Sequence, residues 1–216
     1  MILRHHQAGE TSSEAIYSPC QAYRYALTRV WHNESPRIAF VMLNPSTASE
    51  QKNDPTVARC EARARAAGQG GFRVVNLFAF RATDPRDLKA AGDPCGPGAD
   101  AALTEAALWA DTILCAWGYH GSFRQRDAQA LALLRATGKP LFHLGLTRQG
   151  QPRHPLYVAS AQVILPWDHA ARSCTSAGST APLTVATSAP SSNMREASWP
   201  WIGSTVSWGS AWAVAS

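Results

Sequence analysis

The chain has 216 residues, of which 45% are apolar, and it carries a formal net charge of +5. This length suffices for one domain with a sizeable core, and no apolar run approaches the roughly 20 residues that span a bilayer. The first residues lack the apolar segment of a signal peptide. We therefore predict a cytoplasmic protein without a membrane partner, and we expect a monomer. The modest basic excess is compatible with a polyanionic partner but does not identify one.

Five cysteines are scattered along the chain, and none belongs to a Cys-x-x-Cys pair. Their odd number and their spacing argue against a disulfide framework and against a zinc ribbon. An iron–sulfur cluster needs several thiolates, so distant cysteines would have to meet in space to hold one. That alternative stays open, but buried free thiols are the more ordinary interpretation. We accordingly expect neither a metal nor a cofactor.

The N-terminal part predicts a half-buried strand that leads into a fully buried one. Apolar and polar side chains alternate over residues 21–27, as in a half-buried strand. The turn-forming segment Asn33-Glu34-Ser35-Pro36 predicts a hairpin into the next strand. That strand, 38–43, is a short apolar run between polar flanks, which is typical of the interior of a parallel sheet.

Helices and strands alternate over the rest of the first 166 residues. Asp54-Pro55 predicts the start of a helix over 56–67, with Asp as N-cap and Pro in the first turn. Two more helices are predicted from Asp100 to about 110 and over 125–136. Further strands are predicted at 72–80, 111–117, 141–144 and 163–166. The alternation predicts a three-layer α/β/α fold with a central, mainly parallel, four-stranded sheet.

The composition changes after residue 166. Residues 167–216 hold 11 serines and five of the eight tryptophans, with almost no charge and no helical periodicity. We therefore divide the chain into an α/β domain over 1–166 and an accessory or weakly ordered tail over 167–216.

Polar side chains follow several of the predicted strands. Asn44-Pro45 ends the first buried strand, Asn76 follows Val74-Val75, and Trp117 ends a third strand. Because ligands of open α/β sheets bind at the carboxyl ends of the strands, these residues and the later His154 are predicted to converge on one site. Each also has an ordinary explanation, since Asn commonly forms turns and a histidine in a polar loop is commonly solvated.

Five short motifs resemble a bacterial and phage family catalogued as domain of unknown function 1643. The resemblance covers about residues 20–166, and the name of the family implies no activity. The motifs are Met42-Leu43-Asn44-Pro45-Ser46-Thr47-Ala48, Asn53-Asp54-Pro55-Thr56, Asn76-Leu77-Phe78-Ala79-Phe80-Arg81-Ala82-Thr83-Asp84-Pro85, Ala116-Trp117-Gly118 and Pro152-Arg153-His154-Pro155-Leu156-Tyr157.

The order of the elements more distantly resembles the uracil-DNA glycosylase superfamily. In that superfamily a first strand ends in Asp-Pro or Asn-Pro, whose first residue positions the attacking water, and Asn44-Pro45 matches this motif. A second strand ends in an Asn that reads the edge of the flipped base, as Asn76 would. A late loop carries a His that stabilises the departing base, and His154 matches it, with Leu156 where the superfamily has Ser.

The resemblance implies a fold and a set of roles for particular residues. It implies a uracil-DNA glycosylase-like fold in which Asn44 and His154 are catalytic and act on DNA. Phosphate contacts are expected from Arg81, Arg148 and Arg153, and Leu156 or Tyr157 would fill the vacated stack. The substrate-binding set is Asn76, Ser46, Thr47, Phe78, Arg81 and Trp117, and the DNA-binding set is Arg148, Arg153, Leu156 and Tyr157.

Two departures from the superfamily shape the expected specificity. Asn44 replaces the Asp of many members, which weakens the activation of water. Several uracil-specific relatives place a bulky aromatic soon after the Pro, whereas Ser46-Thr47-Ala48 is small here. We therefore expect a monofunctional DNA glycosylase that excises a 5-substituted pyrimidine, such as those of phage DNA, in antiviral defence. The alternatives are a non-catalytic nucleic-acid-binding module of the same fold and a hydrolase of a small nucleoside-like substrate.

Overall fold

The computed structural model describes residues 1–167, and the strands of this part form one mixed sheet. In chain order they are β1 Ile2–Ala8, β2 Thr11–Tyr17, β3 Arg24–Val30, β4 Arg37–Met42, β5 Gly71–Asn76, β6 Thr112–Cys115, β7 Leu141–His143 and β8 Leu165–Pro166. Across the sheet the order is β1-β2-β3-β5-β4-β6-β7-β8. The mixed α/β class predicted from the alternation is thus confirmed.

Helices cover both faces of the sheet. They are α1 Pro55–Ala66, α2 Pro85–Ala90, α3 Ala99–Trp109 and α4 Arg126–Ala136. On one face α1 packs Val57, Cys60 and Ala64 against alternate residues of β4 and β5. On the other face α3 and α4 pack against the intervening residues of the same strands. Each central strand is therefore apolar on both sides, which explains why it reads as a continuous apolar run.

The central strands β5, β4, β6 and β7 are parallel to one another. Met42 pairs with Asn76, Val41 with Cys115, and Cys115 with His143. These pairings bring the carboxyl ends of all four strands to one edge of the sheet. The loops that follow them carry most of the residues predicted to form a site.

The start of α1 follows the prediction. Asp54 is the N-cap, its side chain accepts from the Val57 amide at 2.8 Å, and Pro55 opens the helix. The predicted start of α3 needs a correction, because Gly98 occupies the N-cap position and Asp100 lies in the first turn. Asp100 instead forms an ion pair with Arg126 of α4. This contact between helices is not visible in local sequence.

The sheet has eight strands among residues 1–167, not the four predicted. The β1–β2 hairpin was not predicted, and β1 is an edge strand with mostly exposed side chains. The predicted hairpin of β3 into β4 is wrong, because β3 pairs with β5. The segment between β3 and β4 wraps around Gly70, whose carbonyl accepts from Trp31 and His32. A Cβ on Gly70 would lie 2.0 Å from the His32 carbonyl oxygen, so only glycine permits this approach.

The structure differs from the prediction at the end of one strand and at the first residue of the tail. The strand predicted over 72–80 ends at Asn76. Trp167, assigned to the tail, packs its ring against Trp117 at 5.5 Å and against His143 at 6.0 Å. The remainder of the predicted tail, 168–216, lies outside the described residues.

Within residues 1–167 no helix combines the length and the apolar character needed to cross a membrane.

Candidate functional site

A cleft of about 680 Å³ opens at the carboxyl edge of the parallel strands. Its volume lies within the roughly 300–1,000 Å³ typical of small-molecule sites. Four of the segments that line it follow β4, β5, β6 and β7, and the fifth is the start of α1. The lining residues come from 43–47, 82–85, 117–120, 147–157 and 54–56.

Asn44 lies in this cleft with the orientation of its amide fixed. Its Nδ2 donates to the carbonyl oxygens of Ala82 at 2.6 Å and of Pro45 at 3.1 Å. Both partners are acceptors only, so the NH₂ group must face them. The Oδ1 atom has no partner among the described residues and is left as an acceptor. A water or a hydroxyl in the cleft can donate to it.

His154 lies on the loop after β7 and presents a neutral imidazole. Its Nδ1 accepts from the Leu156 amide at 3.3 Å, which leaves the proton of the neutral ring on Nε2. Burial lowers the pKa of His154 to about 4, and the nearby Asp54 carboxylate opposes this only in part. At neutral pH the residue is therefore a donor without a positive charge.

Gly118 follows β6 and lines the cleft at a position where the backbone leaves no room for a side chain. Its φ is +77° and its ψ −168°, a backbone conformation that is essentially confined to glycine. A Cβ at this position would lie 3.3 Å from the Cβ of His154. The Gly118 amide also donates to the Pro152 carbonyl at 2.8 Å. The position of the His154 loop thus depends on this glycine.

Gly118→Ala is expected to lower the free energy of unfolding by about 1–3 kcal/mol, because alanine is strained in this conformation. Chemical denaturation measures the effect. Gly92→Ala is the matched control, since Gly92 has no positive φ and a Cβ there meets nothing within 4 Å. Equal stabilities of the two variants would contradict the prediction.

Trp117 forms a fixed wall of the cleft. Its indole Nε1 donates to Gln151 Oε1 at 2.6 Å, and Gln151 Nε2 donates to Asp127 Oδ2 at 2.6 Å. The side chain is buried, with only 1% of its surface exposed. This chain of hydrogen bonds ties the end of β6 to the loop after β7 and to α4.

Asp54 is the one carboxylate among the described residues that line the cleft. One oxygen accepts from the Val57 amide, and the other accepts from the Ala48 amide at 3.3 Å. The second bond holds the loop after β4 against the start of α1. The residue therefore fixes the cleft wall, and both of its oxygens are already engaged by backbone amides.

The rim of the cleft carries aromatic and basic side chains. Tyr157 is 83% exposed, and its ring lies 5.7 Å from that of His154. Leu156 is half-buried beside it. Arg153 is exposed, and its Nε donates to the Leu146 carbonyl at 3.1 Å. Leu156 and the ring of Tyr157 therefore form an apolar projection at the mouth of the cleft, with the Arg153 guanidinium beside it.

Some of the predicted site residues lie elsewhere. Asn76 is buried at the end of β5 outside the cleft lining, and its Nδ2 has no hydrogen-bond partner. Phe78 is fully buried in the core, where it packs against Phe123 at 5.7 Å. Arg148 is exposed on the loop after β7, and Arg81 lines a second, smaller pocket. The structure thus brings Asn44, Ser46, Thr47, Trp117, Arg153, His154, Leu156 and Tyr157 together in one cleft.

Other cleft residues were missed in the sequence. Tyr119 and His120 follow Gly118 in a short 3₁₀ segment, Tyr119–Gln125, and both line the cleft. Burial lowers the pKa of His120, so it too is uncharged at neutral pH. Their position shortly after the end of a predicted strand is the sequence feature that could have identified them as cleft residues. Asp54 was recognised as a helix cap, but its second bond joins parts of the chain that only the fold brings together.

The two fully buried cysteines of the described part lie on opposite faces of the sheet. Cys60 of α1 packs in the core on one face, and Cys115 of β6 packs in the core on the other. Burial raises the pKa of both thiols. Among residues 1–167, no group of three or more His, Cys, Asp or Glu side chains is placed to hold a metal ion.

Comparison with known proteins gives one finding. The family model described as "Protein of unknown function (DUF1643)" matches residues 24–156. No curated protein matches the chain, and no solved structure matches it.

Proposed function

The chain belongs to the DUF1643 family, and we propose that it is a DNA glycosylase. It would hydrolyse the N-glycosidic bond of a base turned out of the duplex and leave an abasic site. The observation that carries this proposal is the presence of two complementary groups in one cleft. Asn44 offers an acceptor that has no partner among residues 1–167, and His154 offers a neutral N–H donor.

The two groups suit the charge that develops as the bond breaks. Positive charge builds on the sugar and negative charge on the departing base. A fixed N–H dipole stabilises the base anion without a proton transfer, and such preorganised donors are strong contributors to catalysis. An acceptor on the other side holds the water for attack. Asp54 adds a buried negative charge to the same cleft, which favours the cationic sugar.

We extend the proposal to the fold and to the substrate. The parallel centre of the sheet, helices on both faces and the order of the strand-end motifs support a uracil-DNA glycosylase-like architecture. Ser46 and Thr47 leave the wall after β4 free of a large side chain. A cleft of about 680 Å³ has room for a substituted base, which supports 5-substituted pyrimidines of phage DNA and a role in antiviral defence.

A non-catalytic DNA-binding module is the second candidate, and one observation favours it. Asp54 is the one carboxylate among the described residues that line the cleft, and both of its oxygens accept from backbone amides, which fits a structural role better than that of a general base. The module would bind DNA through the same cleft and leave the base attached.

Formation of abasic sites tests the proposed function. Purified protein is incubated with DNAs that differ in pyrimidine modification, and strand cleavage at abasic sites is quantified after alkali treatment. We expect cleavage in DNA with 5-substituted pyrimidines and less in unmodified or uracil-containing DNA. Binding without cleavage on every DNA would favour the module, and release of bases from free nucleosides alone would favour a nucleoside hydrolase.

Tyr157→Ala is expected to slow base release from duplex DNA about tenfold, because stacking on an aromatic side chain is worth about 1–3 kcal/mol per base. The exposed ring would otherwise offset part of the cost of extruding the base. Single-turnover rates on duplex and single-stranded substrates measure the effect. The single-stranded substrate is the control, since its base needs no extrusion, and an equal loss on both would contradict a wedge role.

A further inference from the structure

A second pocket of about 380 Å³ lies beside the cleft. The two share Ser46, Thr47, Ala82 and Thr83, so the loops after β4 and β5 form a common wall between them. On the far side of this wall the pocket is lined by Gln21, Phe80 and Arg81. A group that continues from a ligand in the cleft across this wall would enter the second pocket.

Arg81 brings unused hydrogen-bond donors to this pocket. Its Nη1 donates to the Gln21 carbonyl at 3.3 Å, whereas its Nε is buried without a partner. Arg81 takes part in none of the ion pairs formed among residues 1–167. The Nε atom is enclosed by protein, whereas Nη2 has no hydrogen-bond partner among the described residues and is open to an acceptor in the pocket.

Three hydroxyl groups in the second pocket add further hydrogen-bond donors to those of Arg81. Ser46 Oγ and Thr83 Oγ1 lie 3.2 Å apart, and Thr47 and Thr83 are exposed on the shared wall. A guanidinium next to hydroxyls is the combination that recognises phosphate oxygens.

The surroundings of the pocket are basic. The Arg81 guanidinium lies 5.5 Å from the centre of the Tyr17 ring, and that of Arg4 lies 5.2 Å from the same ring. Arg24 is buried nearby and its Nε also lacks a partner. Two carboxylates belong to this group: Glu50 accepts from the Tyr17 hydroxyl at 3.2 Å, and Asp54 acts electrostatically on Arg24. Three arginines against two carboxylates leave an excess of positive charge, which favours an anionic ligand.

We propose that this second pocket binds one backbone phosphate of the nucleic-acid strand whose base enters the cleft. Arg81 supplies the charge, and the hydroxyls of Ser46, Thr47 and Thr83 supply further hydrogen bonds. The identity of the strand as DNA rests on the proposed function, whereas the phosphate subsite rests on the pocket itself. The contact would hold the strand at a fixed register relative to the cleft.

Arg81→Gln is the test, with Arg135→Gln as the matched control. Arg135 is exposed in the last turn of α4, away from both pockets. We expect Arg81→Gln to weaken binding of a modified-base duplex about tenfold, as expected for losing a hydrogen bond to a charged group. The slope of log K against log salt should fall by about 0.9, the contribution of one phosphate. Arg135→Gln should leave both quantities within twofold of those of the unchanged protein.

A scan with uncharged linkages locates the phosphate. A series of duplexes carries a single methylphosphonate at successive positions around the target base. One position should weaken binding by the unchanged protein about tenfold and have no further effect on Arg81→Gln. If no position does so, or if Arg81→Gln binds as Arg135→Gln does, the subsite is overturned. Should Arg81→Gln fail to fold, the scan on the unchanged protein decides alone.

The two proposals fail separately. If DNA is bound with the predicted Arg81 and methylphosphonate pattern but no abasic sites form, the glycosylase proposal fails and the subsite stands. If abasic sites form but neither Arg81 nor any single linkage matters, the subsite fails and the glycosylase stands. If the unchanged protein does not bind DNA, both are overturned.

Discussion

Replacing His154 with alanine is expected to slow base release about 10²–10³-fold while DNA binding is retained. The loss follows from removing one preorganised donor to a developing anion, for which this range is typical. Single-turnover rates of abasic-site formation measure the effect, and binding is measured separately by titration with labelled duplex. His154→Gln retains an N–H donor and should recover part of the rate.

His32→Ala is the matched control for this variant. His32 is exposed in the turn before β4, where its ring forms a hydrogen bond with the Ser35 hydroxyl. We expect an unchanged rate for His32→Ala. A rate for His154→Ala within threefold of that of the unchanged protein would show that the imidazole does not stabilise the departing base.

The pH profile distinguishes a neutral histidine from a charged one. Because burial lowers the pKa of His154 to about 4, the ring stays neutral from pH 8 down to about 5. The rate should therefore show no break near pH 6.5, where an exposed histidine titrates. Activity that depends on the neutral ring is lost only as the pH falls through about 4. A rate that rises as the pH falls through 6.5 would mean that the active form is imidazolium.

How much of the site could be predicted depended on where each residue lies relative to a strand end. Asn44 and His154 were found because a buried apolar run ends in Asn-Pro and because the late loop carries a distinctive motif. Asn76 obeys the same strand-end rule but is buried outside the cleft. Successive residues of a strand point to opposite faces of the sheet, so a shift of one position decides whether a strand-end side chain reaches the cleft. The sequence alone does not show where β5 ends relative to β4 and β6.

The missed parts of the fold depend on contacts between distant segments. β1 carries His5, His6 and Gln7 in succession, so it lacks the alternation by which a half-buried strand is recognised. The pairing of β3 with β5 depends on the turn around Gly70, 40 residues after the end of β3 at Val30. In the same way the second pocket joins Gln21 to Arg81 and Ser46. Contacts between segments that are distant in sequence leave no trace in the local pattern of apolar and polar residues.

Asn44→Ala is expected to slow base release about 10²-fold, since losing the group that positions a reactant has an effect of this order. Its Oδ1 is the acceptor proposed to hold the attacking water, and alanine offers none. The measurement is again the single-turnover rate. Asn33→Ala, in the exposed turn before β4, is the control and should retain full activity.

Asn44→Asp distinguishes the fixed amide from a carboxylate that would activate water. A carboxylate only accepts hydrogen bonds, so one of its oxygens would face the carbonyls of Ala82 and Pro45 that Nδ2 now satisfies. This repulsion should raise the pKa of the new carboxyl and lower the free energy of unfolding at pH 8 by about 1–3 kcal/mol. A folded state with the higher pKa binds more protons, so stability should recover as the pH falls toward 5. Urea unfolding at pH 5 and pH 8 measures this, and we expect no gain in rate. A variant that is both faster than the unchanged protein and equally stable at pH 8 would show that Asn44 is not held in the orientation described.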